Sequence, residues 1–84
     1  MTYTIRFTRQ AAKDIKKLTP KLQSKLKDIL RKHLAVDPYC GKPLVGDLKG
    51  YWSLRLSHKD RIVYSIHDDE LIVLLIRART HYGD

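Results

Sequence analysis

Apolar and polar positions alternate from the start of the chain. In TYTIRFT, Tyr3, Ile5 and Phe7 share one parity and Thr4 and Arg6 the other, which is the period of a strand. The period then lengthens. Thr8 offers an N-cap oxygen to RQAAKDIKKL, where Ala11, Ile15 and Leu18 recur at helical spacing and Lys13, Lys16 and Lys17 turn outward. Thr19-Pro20 ends that helix and opens a second, because threonine caps and proline suits a first helical turn. Leu22, Leu26, Ile29, Leu30 and Leu34 form the apolar stripe of this second helix, and Lys21, Lys25, Lys27, Arg31 and Lys32 cover the rest.

VDPYCGKPLVGDLKG, punctuated by Pro38, Gly41, Pro43, Gly46 and Gly50, reads as a loop. Period two resumes in YWSLRL, with Trp52, Leu54 and Leu56 opposite Tyr51, Ser53 and Arg55. A turn at Ser57–Lys59 leads into RIVYSI. Another at Asp68-Asp69 leads into ELIVLLIRAR, which is apolar on both faces and is expected inside the sheet rather than at its edge. The order β-α-α-β-β-β predicts an α+β fold: two helices in the N-terminal half packed on a four-stranded, mainly antiparallel sheet. Repeats, low-complexity tracts and linkers are missing, so residues 1–84 read as a single domain.

Charge changes this picture more than composition does. The net charge of +8 is not spread evenly. Residues 1–36 hold ten lysines and arginines against Asp14 and Asp28, whereas residues 37–84 hold seven cations and seven acids. A cationic body of this kind points to a polyanionic partner, nucleic acid first. A chain this short buries only roughly 60–65% of its unfolded surface, so a shallow groove open to a large ligand is expected, not an enclosed pocket. The single Cys40 cannot form an internal disulfide, MTYTIRFTRQ lacks a signal peptide's apolar run, and Leu71–Ile76 is too short to span a bilayer. A cytoplasmic protein with no membrane contact is expected.

Strand parity sharpens the reading. The Trp52/Leu54/Leu56 stripe suits the helices, which assigns Trp52 to the core and leaves Arg55 on the other face. Arg61 opens the neighbouring strand, and Arg77, Arg79 and His81 share one parity at the end of the last. Buried arginine is rare unless paired, so the simplest arrangement is an open sheet face lined with cations, a surface suited to phosphates. His33, His58, His67 and His81 show no metal-ligand spacing, and there is no glycine-rich phosphate loop or paired-carboxylate site, so neither metal nor cofactor is expected.

These residues resemble the RelE superfamily of bacterial toxin–antitoxin ribonucleases, closest to its YoeB and YafQ branches. GKPLVGDLKGYWSLRL followed by DRIVY is similar to YoeB, and the ending RARTHY to YafQ. The resemblance spans the whole chain. It implies a ribosome-dependent endoribonuclease, an mRNA interferase that cuts mRNA in the A site without metal, through 2′-OH attack that leaves a 2′,3′-cyclic phosphate. It also implies three partners: the ribosome with its 16S and 23S RNA, the mRNA, and a cognate antitoxin, with a homodimer or an antitoxin heterotetramer as possible assemblies.

The resemblance also implies roles for individual residues. Arg61, in the R.VY motif, would clamp the scissile phosphate, with Arg55 as a second phosphate ligand. His81 would transfer protons as general acid, and Tyr82 would stack on a base or orient the phosphate. Lys42 stands where YoeB has a glutamate and YafQ a histidine. Either it is the general base, its proton loosened by neighbouring cations, or it only binds phosphate and His81 is the base. Lys59 and Arg79 would touch RNA near the cut, and Lys13, Lys17, Lys21 and Lys25 would grip ribosomal RNA. Two alternatives stand beside this reading: a ParE-like toxin that poisons DNA gyrase, and an RNA-binding relative with a weak site.

Overall fold

In the computed structural model, residues 2–80 are described, Arg79 and Thr80 by their backbone alone. Strand β1 (Thr4–Phe7) hands over to helix α1 (Arg9–Lys16) at Thr8, whose hydroxyl does two jobs. It accepts the Ala11 amide at 3.0 Å, satisfying one of the helix's orphan donors, and it donates to the Ile76 carbonyl at 3.0 Å. The turn after α1 is closed by Gln23, whose side-chain amide donates to the carbonyls of Ile15 and Leu18 at 3.0 Å each. Thr19 caps α2 (Pro20–Ile29), accepting the Leu22 amide at 3.3 Å, with Pro20 at the start of the helix.

Beyond Ile29 the backbone widens into a π turn over Leu30–Leu34, and the Ala35 amide reaches the Leu30 carbonyl at 2.8 Å. The spacing of the leucines accounts for it. Leu22, Leu26, Leu30 and Leu34 are four apart, so on an α-helix each step would drift about 40° around the axis. The wider turn keeps Leu34 over the sheet, where it and Leu26 are buried.

Among the described residues the strands form a five-stranded mixed sheet in the order β1-β5-β4-β3-β2. Strands β2 (Lys42–Pro43), β3 (Trp52–Arg55), β4 (Asp60–His67) and β5 (Ile72–Thr80) pair antiparallel in succession, and β1 pairs parallel with β5. The α+β class and the two helices are as expected, and β5 is an interior strand. The strand count differs: Lys42-Pro43 adds a fifth, edge strand inside the expected loop. Two residues, one of them proline, carry no alternation to read, and proline is tolerated there because an edge strand can do without its N–H. Helix α1 is also shorter than its pattern. Phe7, which shares the parity of Tyr3 and Ile5, is 47% exposed at the end of the edge strand β1.

The core joins Ala11, Leu26, Leu30 and Leu34 from the helices to Leu56, Ile62, Tyr64, Val73, Leu75 and Ala78 from the sheet side. In strict alternation, Val73, Leu75, Arg77 and Arg79 would all face it. A bulge prevents this: Tyr64 stands opposite Leu75 and Val63 opposite Arg77, leaving Ile76 as an extra residue. The phase flips there, so Ala78 continues the buried side opposite Ile62, while Arg77 joins the row of Val63.

Past the end of β1, the edge of β5 is completed by a side chain. Asp14 of α1, buried, accepts the Ala78 amide at 3.1 Å, Arg77 Nε at 2.8 Å and Gln10 Nε2 at 3.0 Å. Burial pushes its carboxyl up, but these three donors bring it net below the ordinary carboxylate value. A carboxyl lowered in the folded state adds stability that is complete above the unfolded value of about 3.9 and is lost as pH falls through the folded one. Asp14→Ala should therefore cost on the order of 2 kcal/mol at neutral pH by urea denaturation. The gap to the parent should narrow below about pH 4, since the carboxylate's contribution disappears there. A gap that stays constant with pH would count against the carboxylate. The exposed Arg31–Asp28 pair is the control, and Asp28→Ala should change stability by less than about 0.5 kcal/mol.

Candidate nucleic-acid site on the sheet

Antiparallel partners that stand directly opposite place their side chains on one face, with Cβ atoms about 4.5–5.5 Å apart. In this sheet Arg55 stands opposite Arg61, and Arg61 opposite Arg79. Arg55 and Arg61 thus share one rung of the ladder, and the backbone of Arg79 stands in register beside Arg61. The next rung reads Lys42, Ser53, Val63, Arg77 across β2 to β5. Ser53 and Arg55 share a parity, as do Arg61 and Val63, so both rungs belong to the face opposite Leu54, Ile62 and Ala78. Lys42 is diagonal to Arg55, a separation of about 7–8 Å that long cationic side chains bridge easily.

Arg55 and Lys42 are exposed and Arg61 is half-buried. The ion pairs among the described residues are Arg31–Asp28 and Arg77–Asp14, and neither uses Lys42, Arg55, Lys59 or Arg61. Arg77, by contrast, is taken up by Asp14 and serves the fold. Such a cluster can do one thing well chemically: hold an anion with several geometrically defined lone pairs, since guanidinium groups donate in forks to phosphate oxygens.

Lys59 lies in the turn between β3 and β4, exposed, two residues before Arg61. That turn is held by Ser57 and Asp60. The Ser57 hydroxyl donates to Asp60 Oδ2 at 2.8 Å and accepts the Asp60 amide at 3.1 Å, while the Asp60 carbonyl accepts the amides of Leu56 and Ser57. Lys13, Lys17, Lys21 and Lys25 are exposed on the helical side of the sheet, a surface separate from the arginine rung. Arg79 is placed by its backbone only. His81 and Tyr82 lie outside the described residues.

Trp52 is half-buried against the core and meets Tyr39 edge to face, with ring centroids 5.3 Å apart. Asp14, Gly41 and Tyr64 bear on this region and were not singled out from the sequence. Asp14 had a usable signal, a lone acid on the apolar side of a lysine-rich helix. Gly41 and Tyr64 had none, because their partners are remote in the chain.

Residues 6–82 match the family described as the YoeB-like toxin of bacterial type II toxin–antitoxin systems. The chain belongs to that family. It is 39% identical over 75 residues to toxin YoeB of Streptomyces coelicolor, covering 84% of this chain and 81% of the relative. To toxin YoeB of Escherichia coli K12 it is 35% identical over 71 residues, 80% of this chain and 76% of the relative. Among solved structures, the RelBE2 toxin–antitoxin complex from Mycobacterium tuberculosis superposes with a TM-score of 0.88 at 32% identity, covering 96% of this chain and 93% of that one. The YoeB dimer from Staphylococcus aureus gives 0.79 at 27% identity, covering 98% and 100%. The expected relationship to RelE-superfamily toxins, nearest to YoeB, is therefore present.

For a YoeB-like toxin, the arginine rung has a cost that can be measured. Like charges directly opposite on a sheet repel, and exposed charges are screened by salt over about 10 Å at 0.1 M. Arg55→Ala should leave the fold intact and raise its stability by about 0.5 kcal/mol at low ionic strength, the gain shrinking in high salt. Melting temperatures at both salt concentrations check this. Destabilisation by Arg55→Ala at low salt would mean the rung is a structural network, not a held-open anion site.

Proposed function

We propose that this YoeB-like toxin is a ribosome-dependent endoribonuclease that cuts mRNA in the ribosomal A site. The observation that supports this reading best is the Arg55–Arg61 pair, with Lys42 diagonal to Arg55. It offers convergent positive charge, on a shallow face, at the scale of one phosphodiester.

In the proposed reaction a base takes the proton of the 2′-OH and the 2′ oxygen bonds to the neighbouring phosphorus. The P–O5′ bond breaks, and an acid protonates the departing oxygen. The products are a 2′,3′-cyclic phosphate and a 5′-OH, with no metal or redox partner required for balance. Arg61 and Arg55 meet the charge that grows on the phosphorane, the step where fixed donors are worth most. His81, by its place in the family resemblance, is the general acid, because imidazole exchanges protons near neutral pH. Lys42 is either the base or a further phosphate ligand, with His81 then serving as base. Tyr82 stacks on or orients the substrate, and Lys59 and Arg79 line the RNA path.

The helix lysines at positions 13, 17, 21 and 25 supply the ribosomal contact, a use of positive charge that depends on phosphate number and not on base sequence. The partner that silences the toxin is a cognate antitoxin, as in the RelBE2 complex and in the YoeB–YefM complex from Staphylococcus aureus. An acidic segment would complement the +8 chain. The dimer recorded for the staphylococcal YoeB makes a homodimer a reasonable assembly to test here as well.

Programmed ribosomes carrying a defined mRNA provide the test. The parent toxin should cut in the A-site codon and leave a 2′,3′-cyclic phosphate. Arg61→Ala should lose about 10²–10³ in rate, and Arg61→Lys should recover little of it, because a point charge does not replace a fork. His81→Ala should fall comparably. Intact mRNA with stalled gyrase would transfer the protein to the ParE-like reading, and intact mRNA with ribosome binding preserved to the weak RNA-binding one.

A further inference from the structure

Lys42 reaches the arginine rung only because β2 lies close on β3, and the reason for that closeness is one residue earlier. Gly41 has an ordinary backbone conformation, φ −80°, so no left-handed turn calls for glycine. Space does. A Cβ at Gly41 would sit 2.1 Å from the Tyr64 hydroxyl and 2.7 Å from the Ser53 carbonyl oxygen. Ser53 is the residue opposite Lys42 in the ladder. Tyr64 is fully buried on β4, on the face opposite Arg61, and its hydroxyl donates to the Pro38 carbonyl at 2.7 Å. The segment 38–41 is therefore drawn down onto a phenol that rises through the core from the same strand that presents Arg61.

We propose that Gly41 and Tyr64 are positioning residues for Lys42: the Tyr64 hydroxyl sets the height at which residues 38–41 cross the core, and the missing side chain of Gly41 lets Lys42 dock opposite Ser53, diagonal to Arg55. The inference rests on the nuclease reading for the consequence in rate, but not for the placement itself. Arg61 and Tyr64 lie three residues apart on β4, so the phosphate clamp and the support for Lys42 are parts of one rigid strand. A side chain at position 41 has no flexible neighbour to push aside, since one of its two obstacles is backbone. It must lift β2 off β3.

Two measurements test this together. The first is amide hydrogen exchange at Leu44, whose N–H donates to the Tyr51 carbonyl at 2.9 Å just beyond Lys42-Pro43. Exchange there should quicken in Gly41→Ala and, less strongly, in Tyr64→Phe, while Val73 in β5 stays protected. Unchanged exchange at Leu44 in both variants overturns the placement, whatever the toxin's activity. The second is A-site cleavage by Gly41→Ala, Lys42→Ala and the double variant. Gly41→Ala should lower kcat about tenfold to a hundredfold with little change in KM, and the double variant should be no slower than Lys42→Ala. Losses that multiply in the double variant mean Gly41 acts independently of Lys42 and overturn the inference. If the parent leaves mRNA whole, the nuclease reading fails by itself and the exchange data still decide the placement. Tyr64→Phe, which adds no bulk, keeps the test decisive should Gly41→Ala fail to fold.

Discussion

The fold turns on one extra residue. Ile76 has no partner on β4, and that single offset converts a strand whose strict alternation would turn Arg77 toward the core into one that buries Val73, Leu75 and Ala78 and places Arg77 in the row of Val63. A bulge costs ladder hydrogen bonds, so it persists only where its freed groups find partners. Here the Thr8 hydroxyl takes the Ile76 carbonyl and Asp14 takes the Ala78 amide, both from residues at or within the first helix. The N-cap and the only buried carboxylate of α1 thus hold the distortion from outside the sheet. The helix that looks, from its lysines, like a binding surface is also the brace for the opposite face.

Among the described residues, neither ion pair uses Arg55 or Arg61. In the second half of the chain positive and negative residues are equal in number, and several of the acids are engaged in local hydrogen bonds. Asp68 accepts the phenols of Tyr3 and Tyr39, tying the N-terminal residues and the turn before β2 to the β4–β5 hairpin, and these bonds hold its carboxyl below the ordinary range while raising Tyr3 to about 12. Asp37 accepts the Tyr39 amide, and Asp60 closes the turn beside Lys59. These carboxylates are spent on local geometry. Net neutrality of a segment is compatible with a strongly cationic face once hydrogen bonds have fixed where its acids point.

Most of the fold was legible in the sequence because its information is local. Periodicity located the two helices and the four strands β1, β3, β4 and β5, Thr8 and Thr19 announced the caps, and Arg55 was correctly turned away from the core stripe. What was not legible depended on pairing across the chain. Lys42-Pro43 becomes a strand only by docking on Trp52 and Ser53, Phe7 is exposed at the end of an edge strand, and the Ile76 bulge exists only in relation to β4. The candidate site divides the same way. Residue types and family resemblance nominated Arg55, Arg61 and Lys42, but that they share adjacent rungs is a property of register, which no single segment encodes.

The two cationic surfaces then have different physical tasks. The helix lysines are exposed, numerous and spread over a long face, so their attraction is summed over many phosphates, acts at a distance and fades with salt. The arginine rung is small, partly shielded and set by strand spacing of about 4.8 Å, so it distinguishes the shape of one phosphate group rather than the charge of a polymer. A protein with only the first surface would bind RNA without acting on it. A protein with only the second would rarely meet its substrate. Placing the lysines on helices and the arginines on strands lets each vary without disturbing the other, because the hydrophobic core lies between them.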